Sequence, residues 1–208
     1  MEQPPPTRRQ REQERHRREI LEAAVTVFAA KGFHEAGMQE MAQQAQFGVG
    51  TLYRLFPGGK DEIYLALKQR VVEAFEHQLR EVLAGLGDPV EQLRGYIRAS
   101  ARVYASHPRE MSLYLRETAG AGFDLSLGLP PDLAARYQAC SGWARQALEQ
   151  GMASGRLRPL EIQAALLFLR AVINGFLMRW LQAPQTASLE QTVAQVEEVF
   201  LHGVLAPA

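Results

Sequence analysis

The chain of 208 residues has one cysteine, one asparagine, three lysines and few aromatic side chains (8%), and its 23 basic groups are matched by 23 acidic ones. A lone Cys140 excludes an internal disulfide or a thiolate metal cluster, so nothing calls for an oxidising compartment and the cytoplasm is the expected location. No secretory signal is expected, because Arg8, Arg9, Arg11, Arg15, Arg17 and Arg18 are followed by no short apolar run within the first twenty residues. Glu12, Glu14, Glu19 and Glu22 argue equally against a transit peptide. A membrane-length run free of charge is lacking too. The nearest candidate, residues 164–181, is interrupted by Arg170, Asn174 and Arg179, which a lone spanning helix would carry into hydrocarbon at high cost, so it reads as buried protein. Alternating apolar and polar residues are missing at useful length, which argues against strands. What remains, 47% apolar and 22% charged, is a globular composition sufficient for one domain or two small ones.

Neutrality overall conceals one local concentration of charge. Between Arg8 and Arg18, six arginines stand against Glu12 and Glu14 beside His16, a footprint that can meet phosphates, although a solvated tail is the plainer reading of the same residues. Residues 1–9, with Pro4, Pro5 and Pro6, read as a disordered tail. Helical periodicity follows, with Ile20, Leu21, Ala24, Val25, Val27 and Phe28 on one face and Lys31-Gly32 as a last-turn cation and C-terminal glycine. A short helix is predicted over 38–45, interrupted at Gln46-Phe47-Gly48, and a second over 49–55, ended by Pro57. A long helix runs from Asp61 to Leu83 before Gly85 and Gly87, and Asp88-Pro89 caps another that stops at His107-Pro108. A brief helix carries Met111 and Tyr114, residues 120–131 form a glycine- and proline-rich loop, and helices follow over about 132–152 and 160–182. Ser188 with Gln191 is a capping box opening the last one. The fold class is therefore all-α, with about nine helices.

Catalytic motifs fail on inspection. Gly59-Lys60 hints at a phosphate loop, but that motif needs glycine where Arg54 stands and Ser or Thr where Asp61 stands. The histidines at 16, 34, 77, 107 and 202 include no pair at i and i+4, and Cys140 reads as a small buried hydrophobe. No enzyme, cofactor or metal is expected. The two short helices are more informative, because a helix-turn-helix needs a bracing helix followed by a short projecting one whose first residues reach base edges. Phe47 in the turn is expected to enter a small core with Ile20, Val27, Met41 and Leu52. Gly48 and Gly50 keep the start of the second helix bare, and because helical glycine costs about 1 kcal/mol relative to alanine, Gly50 calls for a reason such as close approach to DNA. On the exposed side lie Val49, Thr51 and Arg54, flanked by Tyr53 and Lys60.

The first helix closing on Lys31-Gly32-Phe33, the run Gly50-Thr51-Leu52-Tyr53 with Phe56, and Lys60 opening helix four together resemble the N-terminal DNA-binding domain of the TetR family of transcriptional regulators, over residues 20–67. The resemblance implies that Tyr53 and Lys60 contact phosphates, that Val49, Thr51 and Arg54 face base edges, and that Leu52 and Phe56 belong to the core. Arg54 suits bidentate contact with guanine, and Val49 or the Thr51 methyl suits thymine. Arg17, Arg18 and the other N-terminal arginines add contacts to the adjacent minor groove or to phosphates. Where family members often carry Thr or Ser before helix two, this chain has Ala36-Gly37, with Gln39 and Gln43 placed to compensate. Gln46 stands for a frequent glycine and Gly48 for a frequent serine or threonine.

The resemblance further implies a DNA-binding domain over 10–58, a helical ligand-binding and dimerisation domain over 59–208, and a homodimer reading a palindromic double-stranded operator. Ile162, Leu166, Leu169, Ile173, Phe176 and Trp180 form one apolar seam for the dimer, with Gly175 near its middle and Val193, Val196 and Phe200 as a second. A small-molecule effector, mainly apolar, is expected among Tyr96, Tyr104, Met111, Tyr114, Trp143, Met152 and Phe168, with residues 120–131 as a lid. Arg98, Arg102 and Arg116 are candidates for an anionic end if one of them points inward, with Arg102 among the expected ligand residues, although a solvated face is the plainer reading of an arginine there. The implied protein is a repressor released when the effector favours a different spacing of its two DNA-binding modules, with the helix from Asp61 to Leu83 as lever. A helical ligand- or partner-binding protein without specific DNA binding is the competing reading, favoured by the neutral charge and by Gly37 and Gly48.

Overall fold

A computed structural model describes residues 7–117 and 128–205. Pro4, Pro5 and Pro6, and all but the end of the loop over 120–131, lie outside these residues. The described residues form nine helices: α1 (Arg8–Glu35), α2 (Met38–Ala45), α3 (Val49–Leu55), α4 (Gly59–Leu83), α5 (Pro89–Ser106), α6 (Pro108–Glu117), α7 (Pro131–Ala153), α8 (Ile162–Gln182) and α9 (Leu189–Val204). The chain divides into two compact units, Met1–Gln69 and Arg70–Ala208, with the boundary inside α4.

In the N-terminal unit the first helix begins earlier than its apolar periodicity. Thr7 Oγ1 accepts from Gln10 N at 3.3 Å, and Gln10 Oε1 accepts from Thr7 N at 2.7 Å, a capping box that opens α1 at Arg8 in a stretch read from sequence as tail. At its other end Gly32 takes φ +81°, where a side chain would be strained, and a last irregular turn runs to Glu35. Ile20, Ala24, Phe28, Met41, Leu52, Phe56 and Ile63 are fully buried and close a small core among α1, α2, α3 and the start of α4. Phe47 does not join them. It is half-buried with its ring edge-on to His16 at 4.9 Å, and Val27 is likewise half-buried, because Phe56 fills the space beneath α3 instead.

The C-terminal unit is organised around α5, which packs against α7, α8 and α9. Asp88 caps α5 by accepting from Val90 N and Glu91 N, and the Ser188–Gln191 capping box opens α9. Arg94 and Arg98 of α5 both donate to the buried Glu197 of α9, the latter at 3.0 Å, while Arg136 of α7 grips Glu76 of α4 with two nitrogens at 2.7 and 3.0 Å. That bidentate grip holds the Glu76 carboxyl below its ordinary range. Inside the core the Tyr104 hydroxyl donates to Asn174 Oδ1 at 2.7 Å, joining α5 to α8, and burial pushes the phenol's pKa above its ordinary value. Tyr104→Phe is expected to destabilise the protein by about 1–3 kcal/mol, since a buried amide oxygen loses its donor. Denaturant unfolding checks this, and an unchanged midpoint refutes it.

Candidate nucleic-acid interface

Helix α3 has only seven residues, too few to be stable alone, so its placement depends on what holds it. Leu52 and Leu55 are buried beneath it, with Phe56 as its C-terminal cap residue. The Arg17 guanidinium lies 4.1 Å above the Phe56 ring and donates to the carbonyl of Leu55, covering the carbonyl end of the helix with a cation. Arg17 is thus half-buried and turned into the protein, away from the DNA contact expected of it, because the exposed carbonyls of a short helix are a nearer partner. Arg18 and Arg54 are exposed, and their guanidiniums make no ion pair or hydrogen bond among the described residues.

The opposite end of α3 is bare. Gly48 is its N-cap with no side-chain cap, and a Cβ placed on Gly48 or on Gly50 would meet nothing within 4 Å. Packing within the chain therefore gives no reason for glycine at position 50. Beside this end runs a groove of about 860 Å³ lined by residues of the α1–α2 junction, α3 and the α3–α4 turn, among them Gly37, Gln39, Val49, Tyr53 and Lys60. Tyr53 is 49% exposed on its wall, and Gly59 sits beside it at φ +65°. Thr51 is half-buried on the same helix, and its N–H donates to Gly48 O at 2.8 Å.

Lys60 is less free than its place in the sequence suggests. It donates to the carbonyls of Phe33 at 3.1 Å and His34 at 2.9 Å and lies 4.9 Å from the Phe33 ring centre, so two of its three donors close the end of α1. Its charge still lines the groove. Sequence reasoning missed Glu40, which accepts from Gly37 N at 3.4 Å and from Lys31, fastening the start of α2 to the end of α1. Lys31 foremost, then the Gly37 N–H, holds its carboxyl below the ordinary value. Glutamate three residues after the cap position was the available signal; Gln39 and Gln43, expected to compensate, are simply exposed. Gln46 at the turn adopts φ +58°, a left-handed conformation costing about 1 kcal/mol in a residue with a side chain, and Phe47 N donates to Ala42 O at 2.9 Å to close it.

In the C-terminal unit the expected seams divide between core and surface. Leu169, Ile173, Val196 and Phe200 are buried within the chain, because the helical repeat turns them toward neighbouring helices, and Ile162, Phe176, Trp180 and Val193 are half-buried. The exposed apolar side chains on these helices are others: Leu167 at 48%, Phe168 and Val199, with Ala164 and Gly175 exposed on the same face of α8. Phe168 was expected to line a pocket and instead lies on the α8–α9 surface with its ring 5.5 Å from that of Phe200. Trp143 is similarly 44% exposed, and Arg102 is exposed with Nη1 donating to Gln78 at 3.4 Å. Arg98 and Arg116 are exposed as well. Tyr96, Tyr104, Met111 and Tyr114 are buried, and Met152 is half-buried with its sulfur accepting from Leu160 N. Burial pushes the Tyr96 phenol up to about 12, with Ser141 and Arg170 close enough to oppose it. Arg170 Nε is itself buried and lacks a hydrogen-bond partner among the described residues. Arg170 was visible in sequence only as a charge interrupting an apolar run.

Residues 20–67 match the family model described as bacterial regulatory proteins, tetR family. Over those residues the chain is similar to the DNA-binding domain of TetR-family regulators. It is 28% identical to the HTH-type transcriptional regulator YxaF of Bacillus subtilis over 41% of this chain, a match that spans 44% of that protein's length. It is 26% identical to the HTH-type transcriptional repressor NicS of Pseudomonas putida over 72% of this chain and 69% of that protein. Among solved structures, the ketosteroid transcriptional regulator KstR2 of Mycobacterium tuberculosis aligns with a TM-score of 0.76 at 23% identity, covering 92% of this chain and 95% of that one, which establishes the all-α fold. Gly50→Ala is expected to raise stability by about 0.5–1 kcal/mol while weakening binding to duplex DNA, since the added methyl meets open space in the free protein and the nucleic acid in the complex. Thermal unfolding and a DNA titration on the same variant check both halves; unchanged affinity refutes the close approach.

Proposed function

We propose that this protein is a TetR-family, cytoplasmic transcriptional repressor that binds a palindromic operator as a homodimer and is released by a small, mainly apolar effector. The observation that carries the DNA reading is the unobstructed start of α3, with Gly48 and Gly50 open to approach, Val49, Thr51 and the exposed Arg54 along the helix, and Tyr53 and Lys60 on the groove beside it. Arg54 reads a base, while Tyr53, Lys60 and the backbone near Gly37 and Gln39 grip phosphates. A single such module makes few base contacts, so useful specificity requires two. The apolar surface of α8 and α9 around Leu167, Phe168 and Val199 supports the dimer, with Gly175 permitting close packing.

The effector reading rests on buried Tyr96 and Met111 as apolar walls and on Arg170 Nε, unsatisfied among the described residues, as a polar end for a ligand group. Helix α4, whose residues belong to both units, is the covalent route by which occupancy alters DNA affinity. NicS is named a repressor, which accords with repression here.

Selection of bound sequences from a random duplex pool with purified protein tests the central reading. A palindrome is the expected product, and Arg54→Ala should relax preference at one base position in each half-site while Tyr53→Ala weakens operator and random DNA alike. Recovery of no motif rejects specific DNA binding in favour of a helical ligand-binding protein. Leu167→Glu is expected to give a folded monomer by analytical ultracentrifugation, and a persistent dimer excludes this face as the interface.

A further inference from the structure

The N-terminal turns of α1 are a helix with nothing to bury. From Arg8 to Glu19 there is no apolar residue, and every side chain from residue 7 to 15 is exposed. Such a segment gains no stability from packing, yet it is helical and closed by the Thr7–Gln10 capping box. It also lies outside the residues 20–67 that match the family model.

Its charges are ordered. Arg8, Arg11, Arg15 and Arg18 follow one another at spacings of three, four and three, which places them on one face over about 15 Å of helix. Arg15 approaches Glu19 at 3.8 Å, an exposed pair of little worth, and the guanidiniums of the other three make no ion pair or hydrogen bond among the described residues. Arg17, on another face, is the one committed to the fold.

The position of this stripe is set within the N-terminal unit. His16 rests on Phe47, the residue just before the N-cap of α3, and Arg17 is fastened to the last residue of α3. The helix therefore leaves the body of the unit beside the recognition helix, and residues 8–15 continue about 12 Å beyond it. A span of 15 Å along duplex DNA presents about nine phosphate charges, counting both strands. With no apolar side chain on any face, the segment cannot insert into a lipid interface or seat in a protein groove.

We propose that Arg8, Arg11, Arg15 and Arg18 form a second DNA-contact surface that grips the phosphate backbone flanking the bases read by α3. The proposal rests on the DNA-binding reading above and adds to it a longer footprint and a stronger dependence on salt. The guanidiniums displace condensed counterions, so the contribution is independent of sequence.

The test compares the full chain with a variant carrying Arg8→Gln, Arg11→Gln, Arg15→Gln and Arg18→Gln, using the selected operator duplex over a range of salt concentrations. Glutamine keeps helix propensity, and circular dichroism with thermal unfolding confirms that the variant folds. The slope of log affinity against log salt should become shallower by roughly 3 to 4 per chain, at about 0.9 for each phosphate that is no longer neutralised, and the hydroxyl-radical footprint should shorten at both outer edges. The preferred bases should not change. If the wild-type protein binds the operator and the folded variant keeps the same slope and footprint, the second surface is refuted while the α3 reading stands. If the wild-type protein binds no duplex, both fail. Loss of binding to anionic vesicles with an unchanged DNA slope also overturns the proposal.

Discussion

A seven-residue helix does not hold together in water, so everything α3 can do depends on the contacts that fix its buried side and its carbonyl end. Leu52 and Leu55 anchor it to α1 and α2, Phe56 closes the core at its end, and the Arg17 guanidinium covers its last carbonyl from above the Phe56 ring. Because restraint is confined to one side and one end, the other end stays free of intramolecular obligations. Two glycines there face open space, and a groove runs alongside. Orientation and availability of this helix are two consequences of the same asymmetric packing.

The cations of the N-terminal unit divide by the same logic. Carbonyl ends of helices concentrate partial negative charge, and the nearest long basic side chains are drawn to them: Arg17 to the end of α3, Lys60 to the end of α1, with Lys31 fastened to Glu40 at the start of α2. Those side chains build the module. Arg54 on α3 and the stripe on α1 are bound to no helix end among the described residues, and they are the groups proposed to meet an external anion. A chain of zero net charge can in this way present a local surface fit for a polyanion.

The C-terminal unit shows a different balance, between satisfied and unsatisfied polar groups in an apolar interior. Tyr104 and Asn174 complete one another, and Glu197 is held by two arginines, so these groups lock α5 to α8 and α9. Arg170 Nε is buried near the Tyr96 phenol without a hydrogen-bond partner among the described residues. A polar atom left unpaired in a protein interior carries a free-energy cost, and this is the contrast on which the proposed effector site rests.

Most of the architecture was legible because it is locally encoded. Periodicity, the Asp88 and Ser188 caps, Pro57 and the Gln46–Gly48 interruption fixed helix type and bounds for α2, α3 and α5 and the start of α9, and spacing around Gly50-Thr51-Leu52-Tyr53 singled out the projecting helix. Local encoding failed where a polar stretch became helix, as at Arg8, since the Thr7–Gln10 box supplies order that apolar periodicity does not report. Periodicity also could not say which stripe of α8 faces inward, so Leu169 and Ile173 were assigned to a dimer seam although they are core, while Leu167 and Phe168 lie exposed. The sequence by itself determined the helices, their order and the residues carried by α3. Tertiary structure alone decided which of two apolar faces is buried and which arginines are committed to carbonyls, because those choices depend on neighbours that are distant in the chain and near only after folding.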